Sequence, residues 1–437
     1  KLGLPSVTLM NIGSVGGPTD GSSTICRAID AFVAAGHTFV CGVGDDGGAA
    51  NHASSTVAQG ESKTIEVNKG QAGNLRVDLW YNEQDRFDVM LTHPDGTVYG
   101  PLPAPADSNT ATNYTAGGIY YNHRGANTDF FGATSNTREI LIDLTGANGI
   151  YKITLTGATV NTSGAFHASL NPSRAGNSEL NYFGTFAVPG YSLNDFTSAE
   201  GAISPGDYVH KNTWTDINGV ARARTGEGAP GEIWAGSSEG PTYDGRQGID
   251  FVAPGEVLFG PYSPDTYYSN FSFNIVENSN SLYGLQTAVS AAAPLTTGVI
   301  ALMLEANPNL SPQEIKDILQ STARADSFTG AVPNNTFGYG KLDALAAVEA
   351  AQTLATPRVA ANIALTIFPN PASDYVTIST PEVPQNIAIY NLAGQTVIHI
   401  NPVKSINNLP FSAQNPGIYL AKVTLNGKVE HRKIIKK

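Results

Sequence analysis

Ser290 lies in the run AVSAAAPLTTG, residues 288–298, where a serine is followed by three alanines and a proline four positions on. Small side chains let the start of a helix lie close against a sheet. The first N–H groups of that helix lack intrahelical acceptors and face whatever negative charge develops there. The chemistry this arrangement serves is attack of a serine hydroxyl on a carbonyl carbon. The same run also reads as a packed small-residue helix in which Ser290 only caps the N-terminus, and spacing does not separate the two. A nucleophilic serine needs a base, and eight histidines are available: His37, His52, His93, His123, His167, His210, His399 and His431. His37, at a helix–strand turn, and His52 are expected at the surface. Cys26 and Cys41 are the two cysteines; they read either as small buried apolar residues or as a disulfide closing a short loop. Asp78, Asp85 and Asp88 match no calcium-loop spacing and are expected to be solvated, with calcium kept only as an option.

The elements around Ser290 follow from pattern. Residues 5–17 read as a buried strand entering a glycine-rich loop. Residues 23–35 have apolar positions at helical spacing and stop at Gly36, and HTFVCGVG is a second buried strand. Strand, helix, strand with short links is a βαβ unit, hence a parallel sheet. From 58 to 175 the period changes to two, in TIEVNKG, LRVDLWYN, RFDVMLTHPDGTV, REILIDLTG and GIYKITLTG, with turn signals such as Pro94-Asp95-Gly96. That block predicts a β-sandwich or jelly roll without useful helices, set inside the βαβ pattern. Helices resume at 291–306, at 311–323 with a Ser311/Glu314 capping box and Pro312 at its first position, and at 340–355. The last 75 or so residues return to short strands.

Composition bounds the answer. A chain of 437 residues, 41% hydrophobic and 14% charged, with 46 glycines, is a folded, turn-rich chain of several domains. A net charge of −12 argues against nucleic acid as a partner, because phosphate neutralisation needs clustered Lys and Arg. No run is expected to reach the roughly 18 to 20 apolar residues of a membrane helix. Lys1 opens on a strand-like run, not on a charged and apolar leader, so the sequence reads as though it starts inside a domain.

The neighbourhood of Ser290 resembles the subtilase family of serine proteases, whose nucleophile motif reads Gly-Thr-Ser-X-Ala-X-Pro-His-Val-Ala-Gly. Ser290, Ala292, Pro294 and Gly298 match it, whereas Ala288 and Val289 replace Gly-Thr and Leu295 replaces His. GPTYDGRQGIDFVAPG (240–255), AISPGDYVHKNTWTD (202–216), FGYGKLDALAAVEAA and MNIGSVGGP (10–18) resemble further family segments in the family's order. The resemblance implies that Ser14, Val15 and Gly16, with Gly42, Val43 and Gly44, bind a polypeptide substrate as edges beside an added strand. It also implies that Asp45 stands at the oxyanion position, where the family carries Asn. A carboxylate donates no hydrogen bond unless protonated, although one branch of the proprotein-convertase subtilases also has Asp here. None of the eight histidines lies in the family's His-Gly-Thr context. The alignment therefore implies that the triad Asp and His belong to an upstream segment outside this sequence, either removed or kept as a separate chain.

The inserted sandwich is similar to that of certain subtilases of anaerobic bacteria. At the C-terminus, FPNPASDYVTI, IAIYNLAGQTV and PGIYLAKVTLNG…RKIIKK resemble the sorting domain of Bacteroidota type IX secretion cargo. This implies the type IX secretion machinery as a partner and a secreted or cell-surface protein. The expected fold is an incomplete subtilisin-like α/β parallel sheet at 1–57 and 176–355, with a jelly roll at 58–175, a linker at 356–362 and a β-sandwich sorting domain at 363–437. The expected function is a serine endopeptidase of the subtilisin type, inactive as this chain alone. A non-catalytic surface protein on a decayed protease fold is the alternative.

Overall fold

Four parallel strands form the sheet that the βαβ pattern predicts. The computed structural model describes residues 5–13, 15–48, 50–105, 110–125, 136–171, 181–355, 365–392, 394–401, 403–425 and 428–437. Strand β1 (Val7–Met10) pairs in parallel with β2 (Thr38–Cys41), and the helix α1 (Thr24–Ala34) connects them, capped by the Ser23 side chain. β2 continues the sheet through Ile203 to β3 (Pro205–Val209), which pairs in parallel with β4 (Phe251–Glu256). Three helices follow: α2 (Val289–Ala306), α3 (Pro312–Thr322) with both halves of its predicted capping box formed, and α4 (Ala344–Ala355). Val40, Ile203, Phe251 and Ala253 of the sheet bury against Ala292, Ala293, Ile300 and Met303 of α2 and Ala347 and Ala351 of α4.

The expectation that no apolar run reaches membrane length is corrected here. α2 spans 18 residues with a mean hydropathy of 1.5, long and apolar enough to cross a membrane by length and composition. Half of it is buried inside the fold against β4 and α4, because a helix central to an α/β layer is apolar on several faces.

Between β2 and Ile203 the chain forms two antiparallel sheets. One has six strands in the order 52–56, 165–171, 75–82, 137–144, 119–124, 111–116; the other has five, in the order 181–183, 62–69, 149–159, 86–92, 98–102. Their inner faces share one core, with Val77, Leu79, Tyr121 and Phe166 from the first against Ile65, Phe87, Val89 and Ile153 from the second. The turn predicted at Pro94-Asp95-Gly96 closes with His93 N donating to Thr97 O at 2.8 Å. Asp78 and Asp85 are buried, which corrects the expectation of solvated carboxylates. Asp85 accepts from the backbone of Asn161 and Thr162, at 2.7 and 2.8 Å, and so ties two loops together.

Residues 1–355 form one compact unit and 356–437 another. The second unit, taken by itself, has a three-stranded and a four-stranded antiparallel sheet around Val376, Ile378, Ile389, Phe411 and Val423. Its final strand, Lys428–Lys436, pairs along its whole length with Gly417–Leu425. The predicted linker at 356–362 lies outside the described residues.

Candidate active site

Ser290 sits in the first turn of α2, exposed, at the bottom of a cleft of about 220 Å³. Pro294 explains part of the local design. It has no N–H to give to the carbonyl four residues earlier, and that carbonyl, Ser290 O, accepts instead from Asn11 Nδ2 at 3.0 Å. The proline thus leaves a backbone acceptor through which the loop after β1 is fastened to the nucleophile turn.

No side chain of the helix itself caps α2. Ala288 precedes it with φ 71° and ψ −179°, a region essentially reserved for glycine. Two carboxylates from elsewhere take the orphan donors. Val289 N donates to Asp45 Oδ1 at 3.2 Å, and Ala288 N donates to Glu256 Oε1 at 3.1 Å. Glu256 is buried and lies 2.6 Å from Arg224 Nε. Behind them, Asp207 is fully buried. Its carboxyl is pushed well above the usual range by burial, and further by the charges of Glu256 and Asp45. Carboxylates at a helix N-terminus are individually favourable, but the charges of Asp45 and Glu256 oppose a further negative charge beside them, as the raised Asp207 carboxyl shows.

The residues expected to bind substrate fall on two segments flanking this cleft. Val15 is buried, Gly16 is half-buried, and Ser14 lies outside the described residues. On the other side Gly42 passes so close to α2 that a Cβ there would run into Val289, and Gly44 takes φ 111°. The carbonyls of this segment are engaged within the protein: Gly42 O accepts from Asn194 Nδ2 at 2.5 Å, Val43 O from Asn194 N at 2.9 Å, and Gly44 O from Ser238 N at 3.0 Å. Asn194 is buried, abuts Gly13, and so bridges the two segments across the cleft floor.

No histidine lines the cleft among the described residues. His52, expected at the surface, is buried, and this is a correction: it packs with His167, Tyr191 and Tyr243 where the inserted sheets meet the parallel sheet's loops. His37 is half-buried and stacks on Phe32. Cys26 and Cys41 are buried free thiols, their pKa values pushed up to about 12 and about 11 by burial. The expected site residues Ser290, Asp45, Gly42 and Gly44 come together in one cleft. Asn11, Asn194 and Glu256 were not legible as parts of it. Only the proline four residues after Ser290 hinted that an outside donor was wanted.

Residues 6–340 match the sequence model of the subtilase family. This chain belongs to the subtilase family. The subtilase's C-terminal residues 366–437 match that of the secretion system C-terminal sorting domain, which marks a secreted or outer-membrane surface protein of the type IX route. The subtilase is 32% identical over 108 residues to the serine protease AprX of Bacillus subtilis, covering 25% of this chain and 23% of that protein. It is 29% identical over 144 residues to a calcium-dependent protease of Nostoc sp., covering 32% of this chain and 20% of that one. The chain spans less than a quarter of the length of the curated relatives it matches. The Clostridium perfringens CspB protease shares the fold, at a TM-score of 0.57 and 20% identity, over 79% of this chain and 67% of that one.

Proposed function

We propose that this subtilase chain is the later part of a secreted endopeptidase of the subtilisin type, with Ser290 as nucleophile and Asp45 at the oxyanion position. The general base and its orienting aspartate would come from a segment upstream of Lys1. The observation that carries this reading is the meeting of three remote segments at one cleft: Asn11 bonded to Ser290 O, and Asp45 bonded to Val289 N. Support for an upstream partner comes from β1, which is half-buried and pairs on one side only among the described residues. The domain division goes with it: catalytic parts at 1–57 and 176–355, an inserted jelly roll at 58–175, a linker and a sorting domain.

In this reading Ser290 Oγ attacks the substrate carbonyl carbon while its proton passes to the upstream imidazole. The oxyanion forms beside Ser290 N and the Asp45 carboxyl, which helps only when it carries a proton. The polypeptide lies between the Ser14–Gly16 and Gly42–Gly44 segments as an added strand. Calcium, suggested by the Nostoc relative, finds no group of three His, Cys, Asp or Glu side chains among the described residues, so no step is routed through it.

A fluorophosphonate probe tests the assignment on protein that contains the upstream segment. A single adduct on Ser290, absent from Ser290→Ala, is expected, and no adduct at all would sink it. A second reading, a non-catalytic surface protein on a decayed protease fold, is favoured by Asp45 and Ala288, which stand where the family carries Asn and Gly. An upstream segment without the family's Asp and His motifs would decide for it.

A further inference from the structure

Ala288 is held at both ends. Its N–H donates to Glu256 Oε1 at 3.1 Å, and its carbonyl accepts from Ala291 N at 2.8 Å, the bond that opens α2. Between the two, φ 71° and ψ −179° place an alanine where glycine alone is at ease. Such a conformation persists only where the surroundings over-determine it. The direction of the first turn, and of Ser290 within it, therefore depends on how firmly Glu256 keeps the Ala288 N–H.

Glu256 does not hold itself in place. It is 1% exposed, and a buried carboxylate is costly unless it is paired. Its second oxygen lies 2.6 Å from Arg224 Nε. Arg224 arrives from an outlying hairpin, Thr213–Thr215 against Ala221–Ala223, and its own N–H donates to Asn212 O at 2.9 Å. Arg224 Nη2 donates to Glu227 Oε1 at 3.3 Å, and Glu227 Oε2 accepts from Trp234 Nε1 at 2.6 Å. Trp234 is buried in the same apolar cluster as Val289. The side chains thus run from Trp234 through Glu227, Arg224 and Glu256 to Ala288, and both ends of the run stand on one core.

We infer that Arg224 is a positioning residue for Ser290: paired with Glu256, it keeps that carboxylate charged and aimed at Ala288 N, and so holds the nucleophile turn in its strained form. The inference rests on the reading of Ser290 as nucleophile. Arg224 is not among the residues lining the Ser290 cleft, so it acts through Glu256 and not on a substrate. A glycine at this position would need no such hold. The alanine at 288 and the Arg224–Glu256 pair are two parts of one arrangement.

The charges agree with the geometry. Burial raises the Glu256 carboxyl, and the Arg224 charge and the Ala288 N–H pull it back. The other titratable groups facing it are Glu227, from the loop that carries Arg224, and Asp207 of β3, with Asp45 beyond. A charged acceptor makes a hydrogen bond roughly twice as strong as a neutral one. The hold on Ala288 N is therefore full above the Glu256 pKa and weakens as pH falls through it. Loss of Arg224 moves that weakening to higher pH.

The test is a double-mutant cycle read by the rate at which a fluorophosphonate labels Ser290, between about pH 5 and pH 9, on protein that contains the upstream segment. Arg224→Gln should slow labelling about tenfold or more at neutral pH. The deficit relative to the parent should widen toward acid, and Arg224→Lys, which keeps a cation, should recover most of the rate. In the Ala288→Gly background the same Arg224→Gln change should cost less than about twofold. Equal losses in both backgrounds, a deficit that does not change with pH, or a full rate in Arg224→Gln overturns the inference. Urea midpoints of the same four proteins read the hold without any labelling: Arg224→Gln should lower the midpoint further with Ala288 in place than in the Ala288→Gly background. If the parent does not label at all, the protease reading falls and the urea cycle alone decides whether Arg224 holds the turn, with equal midpoint losses overturning it. A parent that labels, with equal losses in both cycles, keeps the protease reading and removes Arg224 from it.

Discussion

Ala288 shows what a single methyl group does at a nucleophile turn. Its backbone lies where only glycine is at ease, which costs about 1–3 kcal/mol. Ala288→Gly relieves that strain but loosens the unfolded chain, so a net gain of about 1 kcal/mol is expected, read as a higher urea midpoint at unchanged slope. Asp45→Asn keeps an oxygen to accept from Val289 N and adds an amide N–H for an oxyanion. In protein with the upstream segment it should speed phosphonylation of Ser290 by about tenfold or more, and a slower reaction would mean that Asp45 serves α2 alone. Ser290 and Asp45 were legible because short motifs carry them. Asn11, Asn194 and Glu256 were not, since each acts through hydrogen bonds to backbone groups 32 to 279 residues away.

At the scale of elements, helices and strands were readable wherever period and caps agreed, as in α3 with its capping box. What pattern could not supply was the environment of a polar residue on a strand's outer face. His52 and His167 alternate outward from the sandwich core and would be solvent-facing if nothing covered them, yet Tyr191 and Tyr243 do. Burial holds His167 down to about 4 and His52 well below its usual range. Unfolded, both take up a proton near pH 6.5, so the stability of their neutral forms is complete above that pH and is lost as pH falls toward 4. Urea midpoints should drop over that window, and His167→Gln should flatten the drop. An unchanged slope in that variant would remove the pair from the account.

For the molecule as a whole, the order of patterns was enough to mark a strand-rich block within the α/β chain and a separate strand-rich end. The block's docking onto residues 15–17 was not, because it depends on two hydrogen bonds, from Ser169 and to Asp78, that no local pattern announces. Residues 365–437 have a core of their own, and expressed alone they should melt in one cooperative transition with sheet-type circular dichroism. A non-cooperative melt would show that this unit needs the rest of the chain.

The entry and exit of the inserted sheets run side by side: Phe183 N donates to Ala50 O, Ser54 N to Phe186 O and Val188 N to His52 O, at 2.8 to 3.0 Å. About 130 residues thus leave and return through one doorway. Loop-closure entropy grows only slowly with length, and here the closing is done by the insert's own strands. To the parallel sheet, the excursion has the reach of a tight turn. Closing that doorway leaves β2 and Ile203 side by side, with Cys41 N donating to Ile203 O at 3.0 Å, so the parallel sheet against which the Ser290 helix packs is joined across the excursion as if across a short loop.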